Sequence, residues 1–209
     1  MRLETDFMSL RHTYTLFAPI YDLVLGRASA ALRRDSLQRL PVQEGDVLLT
    51  GIGTGLDIPH LPHGPCYIGL DLTPAMLRKA QRRSAGRADI RLHLGDAMQL
   101  PYRDASFDAV VLHLILAVVP QPERLLAEAE RVLKPGGHIL ILDKFLHPGQ
   151  RAPLRRLLNL ITRHIATRTD VVLEDVMACC TQLHLKLDEP VLARGWFRRI
   201  ELKKVTSDK

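Results

Sequence analysis

No apolar run in this chain approaches the ~18 residues that a membrane-spanning helix needs. Cysteine is scarce. There are three, at positions 66, 179 and 180, an odd number without metal-ligand spacing. Adjacent cysteines rarely pair with each other, so a disulfide-framed secreted scaffold is excluded and a reduced, cytoplasmic setting is expected. The opening stretch, MRLETDFMSLRHTY, puts acids and polar groups where a secretory leader needs an apolar core. Also missing are the HExxH pair of a zinc protease, the GxSxG turn of a serine hydrolase and the GK[ST] of a Walker loop. The net charge of +6 permits nucleic acid as a partner. Aromatic and basic residues are not interleaved, however, and no added recognition domain is visible, so nucleic acid is not expected.

What is present suits one globular unit. The 209 residues are 46% hydrophobic and 25% charged, enough for a sizeable core. Up to about residue 40 the pattern is helical: Tyr14, Phe17, Ile20, Tyr21 and Val24 recur at three- and four-residue steps interrupted by Pro19, and a second helix is expected from about Arg27 to Leu40. From Pro41 onward, short apolar runs alternate with helical patterns. The runs are 46–50, 66–70, 90–94, 107–116 and 138–143, with helices at 74–83 and 122–133. Such alternation predicts an α/β fold, a parallel sheet covered by helices on both faces. The tail adds helices around 151–165 and 172–182. Two strands follow, 183–192 and 196–205, joined by Ala-Arg-Gly as an antiparallel hairpin.

The stretch LLTGIGTGLD ends the first strand in three alternating glycines, Gly51, Gly53 and Gly55. Glycine tolerates positive φ and lets a ligand touch the main chain. A helix beginning after the loop would add free N–H groups. The spacing is not the GxGxxG of dinucleotide sites, since its third glycine would fall on Leu56. The second strand ends in Asp71 and the third leads to Asp96. A carboxylate at the first place can hold two ribose hydroxyls or cap the next helix. At the second it can accept an adenine amino group or close a turn.

These stretches, in the order VLLTGIGTG, YIGLDLTPAMLRKA, IRLHLGDAMQLPY, SFDAVVLHLIL and ERLLAEAERVLKPGGHILIL, resemble the class I S-adenosylmethionine-dependent methyltransferases. YTLFAPIYDLVLG at the N-terminus resembles the start of the members that act on quinone precursors and phosphatidylethanolamine. The resemblance implies a Rossmann-like seven-stranded sheet in the order 3-2-1-4-5-7-6, with strand 7 antiparallel. It implies a single domain, 1–209, with a helical lid at 1–40 and a cofactor-binding core at 41–209. It implies S-adenosylmethionine as cofactor and S-adenosylhomocysteine as product. Gly51, Gly53 and Gly55 would approach its methionine part, Asp71 its ribose, Leu72 and Met76 its adenosine, and Asp96 with the Ala97 amide its adenine. His113, after the fourth strand, would lie near the sulfonium and the acceptor, in a catalytic or a structural role. LKPGG, 133–137, would be the turn into strand 5. The family usually carries an acid two residues before the first glycine, where this chain has Leu49.

Tyr14 and Tyr21, seven apart on one face, are either plain packing or part of the lid that closes over the acceptor, with Tyr21 near the cofactor's carboxylate and counted with His113 among the catalytic candidates. The stretch 151–168 holds five arginines and no acid, with Leu154, Leu157, Leu158, Ile161 and Ile165 along one stripe. It fits either a helix packed on the sheet or a basic amphipathic helix on an anionic membrane. The expected function is methyl transfer to a small or lipid acceptor, first the phosphatidylethanolamine amine. The alternatives are a quinone precursor, a soluble small molecule, or cofactor binding without catalysis. The sequence carries no signal for an oligomeric state.

Overall fold

A computed structural model describes residues 29–146, 171–192 and 196–206. The expected lid residues Tyr14 and Tyr21, the basic stretch 151–168 and the 193–195 connection lie outside the described residues. Seven strands form one sheet in the order β3-β2-β1-β4-β5-β7-β6. They are β1 (Asp46–Thr50), β2 (Cys66–Asp71), β3 (Ile90–Leu94), β4 (Phe107–His113), β5 (Leu133–Lys144), β6 (Leu183–Leu192) and β7 (Phe197–Lys204). The first five run parallel, and β7 lies antiparallel between β5 and β6. The helices are α1 (29–38), α2 (Pro74–Arg83), α3 (Pro122–Val132) and α4 (Leu173–Met177).

The pleat explains why the central strands are apolar throughout. Successive side chains point to opposite faces, and both faces are covered. Leu48, Val110, Leu112, Ile139 and Ile141 enter one core with α3 and α4. Their neighbours Val47, Leu49, Ala109, Val111 and Leu140 enter a second core with Leu37 of α1 and Ala80 of α2. Leu49, in the place of the family acid, is thus a core residue of the second layer.

Four details depart from the sequence expectation. After the glycines only a 3-10 turn forms, Ile58–His60, instead of a helix. Pro62 is the reason: a continuing helix would need its missing N–H and would press its ring on the Ile58 carbonyl. The strand expected to reach 116 stops at His113, because Leu114 adopts φ 57° and turns the chain into the 115–120 loop. LKPGG is no separate turn. Leu133 already pairs with Phe107, and the next pair is Ala109 with His138, so the Pro-Gly segment bulges within β5. Finally, the helix expected over 172–182 stops at Met177. Cys180 N–H donates to the Met177 carbonyl in a tighter turn, and Gln182 N–H donates to the Glu130 carboxylate, which together deliver the chain to β6.

Candidate active site

The sheet order reverses between β1 and β4, where the connections leave in opposite directions and open a crevice at the carboxyl ends of the strands. A cleft of about 1050 Å³, its open mouth included, lies there. Each wall comes from one strand end. Gly51 to Thr54 follow β1, Asp71 ends β2 and leads into Leu72 and Thr73, Asp96 to Met98 follow β3, and His113 ends β4 and leads into Leu114 and Ile115. The cleft therefore brings together Gly51, Gly53, Asp71, Leu72, Met76, Asp96, Ala97 and His113 from the sequence analysis. Gly55 is not among its lining residues.

The three glycines share positive φ, at 67°, 58° and 83°, but do different things. A Cβ on Gly53 would meet only the Gly51 carbonyl at 3.9 Å, so its Cα is bare toward the cleft. A Cβ on Gly55 would meet Ala80 Cα at 3.0 Å and Ile58 Cδ1 at 2.7 Å. Gly55 is needed for the close approach of the loop to α2.

Asp71 fastens the loop. Its Oδ2 accepts the Gly53 N–H at 2.8 Å, and its Oδ1 accepts the Thr73 N–H at 2.8 Å ahead of α2. Burial pushes the Asp71 pKa up, and these two N–H bonds only partly offset it. Asp96 accepts the Met98 N–H at 2.8 Å, which closes the turn carrying Ala97. The N–H groups of Ile52, Gly53 and Gly55 all donate within the protein. Those three positions therefore offer no N–H donor to a phosphate, unlike a phosphate-binding loop.

His113 sits in a buried polar network, its side chain 1% exposed. Nδ1 lies 2.9 Å from Asp57 Oδ1, and Nε2 lies 3.0 Å from the Ser36 hydroxyl. An ionised Asp57 only accepts, so Nδ1 carries the hydrogen of that bond, and the Ser36 hydroxyl pairs with Nε2. Asp57 also takes the Arg33 guanidinium, with Nη1 at 2.9 Å, while Arg33 Nε donates to Ser29 Oγ at 3.1 Å. Burial alone would raise the Asp57 pKa. The charge of Arg33, then that of His113, and the hydrogen bonds from both outweigh it and hold the carboxyl well below the ordinary range. Arg33 lines the cleft beside His113. Neither Arg33 nor Asp57 stands out in the sequence; a charged residue just past the glycines was the one available signal.

A family model described as a methyltransferase domain matches residues 48–141, the span from β1 into β5. The chain is 32% identical over 180 residues to a phosphatidylethanolamine N-methyltransferase of Cereibacter sphaeroides, an alignment that covers 84% of this chain and 87% of that protein. The chain belongs to the class I S-adenosylmethionine-dependent methyltransferases. It is also 36% identical over 138 residues to a demethylmenaquinone methyltransferase of Renibacterium salmoninarum, covering 63% of this chain and 56% of that protein. In fold it is similar to a SAM-dependent methyltransferase from Thermotoga maritima, with a TM-score of 0.66 at 21% identity, over 92% of this chain and 99% of that one.

The cofactor of this methyltransferase is S-adenosylmethionine, and the cleft fits it. A bare Gly53 Cα admits a ligand against the main chain, and the loop does not compete for a phosphate. Two carboxylates stand at successive strand ends, and apolar Leu72, Met76 and Ala97 lie between them. Arg131 on α3 steadies the adjoining loop by donating to the Leu100 and Tyr102 carbonyls. Among the described residues, no group of His, Cys, Asp and Glu is placed to hold a metal ion, and no helix is long and apolar enough to cross a membrane.

Proposed function

We propose that this methyltransferase places methyl groups on the amine of an ethanolamine phospholipid head group. The observation that carries the reading is the relative above, whose likeness spans 84% of the chain, well past the β1–β5 core that the family model matches. The cleft supports it. Beyond the glycine loop its walls are Leu56, Ile115, Val118, Val119 and Pro120, an apolar approach suited to the region below a lipid head group.

The bound cofactor supplies a methyl group on sulfonium sulfur. Its carbon–sulfur bond would be open to in-line displacement by the lone pair of a neutral amine, with the bonding electrons left on the thioether sulfur and one proton released from the methylated ammonium before a further methyl could be added. The residues have to position and dehydrate the reactants. Gly53 gives room for the methionine part, Asp71 takes the ribose hydroxyls, Asp96 and the Ala97 amide take adenine, and Leu72 and Met76 enclose it. Both His113 ring nitrogens are engaged by Asp57 and Ser36. We assign His113 the role of a positioning residue that fixes the β4 end of the cleft. Tyr14, Tyr21 and the 151–168 stretch are proposed to complete the acceptor side as lid and membrane contact, with the whole chain acting as one domain.

The test uses methyl-labelled cofactor, purified protein and vesicles of phosphatidylethanolamine, followed by solvent partition and chromatography. Label in mono- or dimethylated ethanolamine lipid is the expected result. A 36% identical quinone-modifying relative makes demethylmenaquinone the comparison acceptor. Label appearing there and not in the phospholipid overturns the head-group reading.

A further inference from the structure

The acid that usually precedes the glycines is absent, and Leu49 is 2% exposed in the apolar layer. Its β1 neighbours Val47 and Leu48 are fully buried in apolar surroundings, and β1 offers no second carboxylate at this end of the strand, only the uncharged Thr50 hydroxyl. Charge reaches the same end of the cleft by another route. Asp57 enters from the far side of the glycine loop, 6% exposed, and holds Arg33, 7% exposed, at 2.9 Å. An ion pair this deeply buried is costly to dehydrate and is weak evidence of stabilisation for its own sake. It therefore invites a functional reading. Among the described residues, Arg33 is the one Lys or Arg that lines the cleft, and Asp57 is not part of the lining. Nε is taken by Ser29 and Nη1 by Asp57, and the Nη2 donors have no acceptor among the described residues.

The methionine end of the cofactor is a zwitterion with one carboxylate. A guanidinium fixed by a carboxylate behind it presents a preorganised positive face, and a charged hydrogen bond to a carboxylate is among the stronger ones available. We propose that Arg33, oriented by Asp57, binds the α-carboxylate of the cofactor's methionine part. On this reading the Arg33–Asp57 pair takes over the polar organisation of that end, which in the family belongs to the acid replaced by Leu49. Asp57 and His113 are positioning residues. Asp57 aims the guanidinium, and His113, shared with Ser36, ties α1 to the β4 end. The inference depends on the cofactor and is independent of which acceptor is methylated.

The experiment compares two ligands by calorimetry. S-adenosylhomocysteine carries the carboxylate, and 5′-methylthioadenosine keeps the adenosine and thioether but lacks it. The variant is R33M/D57N, which removes both charges so that neither is left buried alone. A melting curve checks its fold, with R33K as a second variant that keeps a charge but loses the planar fork. Expected is a loss of about 10- to 100-fold for S-adenosylhomocysteine, a smaller loss for R33K, and methylthioadenosine affinity within about twofold of the native protein in both. Equal weakening of the two ligands makes the pair merely structural and overturns the proposal, as does unchanged S-adenosylhomocysteine affinity. Should R33M/D57N fail to fold, R33K decides by the same ratio. A native protein that binds neither ligand would fail at the cofactor itself, a result distinct from failure at Arg33.

Discussion

Substituting alanine at Gly53 and at Gly55 should separate the two uses of the glycine loop. Both glycines sit in the left-handed region, so a Cβ at either costs about 1–2 kcal/mol in backbone conformation. Gly53 adds no collision, since its Cβ would stand 3.9 Å from its nearest neighbour, the Gly51 carbonyl oxygen. Gly55 adds one against the backbone of α2, with Ala80 Cα at 3.0 Å, and overpacking of that kind costs about 1–3 kcal/mol more. In a chain of this size each kcal/mol lowers Tm by about 2–4 °C. The expected falls are therefore roughly 2–8 °C for G53A and roughly 4–20 °C for G55A. Affinity should run the other way. The new methyl at 53 occupies the floor on which the cofactor lies and should weaken S-adenosylhomocysteine binding about tenfold or more. G55A, measured below its melting transition, should stay within a few-fold of native. Scanning calorimetry and titration calorimetry on the two proteins give all four numbers. If G53A binds as native, or if G55A melts no lower than G53A, the division of labour among these glycines is wrong.

Ionised Asp71 is the form that accepts ribose hydroxyls, and burial raises its pKa, so cofactor affinity should fall on acidification while ordinary surface carboxylates are still charged. D71N should weaken binding at neutral pH by about 10- to 100-fold and flatten that pH dependence; an unchanged slope would remove Asp71 from the site. Asp57 has the opposite sign. Its folded pKa lies below its unfolded one, so its stabilisation is complete above about pH 4 and is lost as pH falls toward the folded value. D57N, which leaves Arg33 buried without its partner, should be about 3–5 kcal/mol less stable at pH 7, with the gap narrowing below about pH 4 in thermal melts. A constant gap would deny the charge its role. Thr50 buries a hydroxyl with no hydrogen-bond partner among the described residues, so T50V should be neutral or raise Tm by about 2–4 °C. A clear fall in Tm would mean that the hydroxyl has a partner in solution.

Local pattern made much of this molecule legible. β1, β3 and β6 and helix α2 occupy the residues that apolar runs and helical spacing predict, because strands buried on both faces must be apolar throughout and their ends must be polar or glycine. The cleft residues were legible for a related reason: a parallel sheet puts all its carboxyl ends at one edge, so Gly53, Asp71, Asp96 and His113 had to converge there. Short-range exceptions were harder. A single proline, Pro62, outweighs the helical expectation after the glycines, and Leu114 ends β4 early through one positive φ. The Arg33–Asp57–His113 network was beyond sequence reading altogether. Its partners lie 24 and 56 residues apart, and no periodicity records that they will meet. The buried leucine at position 49 was visible as an omission, but what stands in for it was not.

The place of β7 has a consequence for biosynthesis. β5 carries the run Ile139-Leu140-Ile141-Leu142, fully or almost fully buried in the finished sheet. One of its edges is covered by β4, which precedes it, and the other by β7, which emerges from the ribosome among the last of the described segments. A nascent or truncated chain that stops short of residue 197 therefore exposes a long apolar strand with an unsatisfied row of N–H and C=O groups, the template that other unfinished chains can extend. Loss of β7 should thus convert a foldable polypeptide into one that depends on chaperones, although every described residue that lines the cleft has already been made.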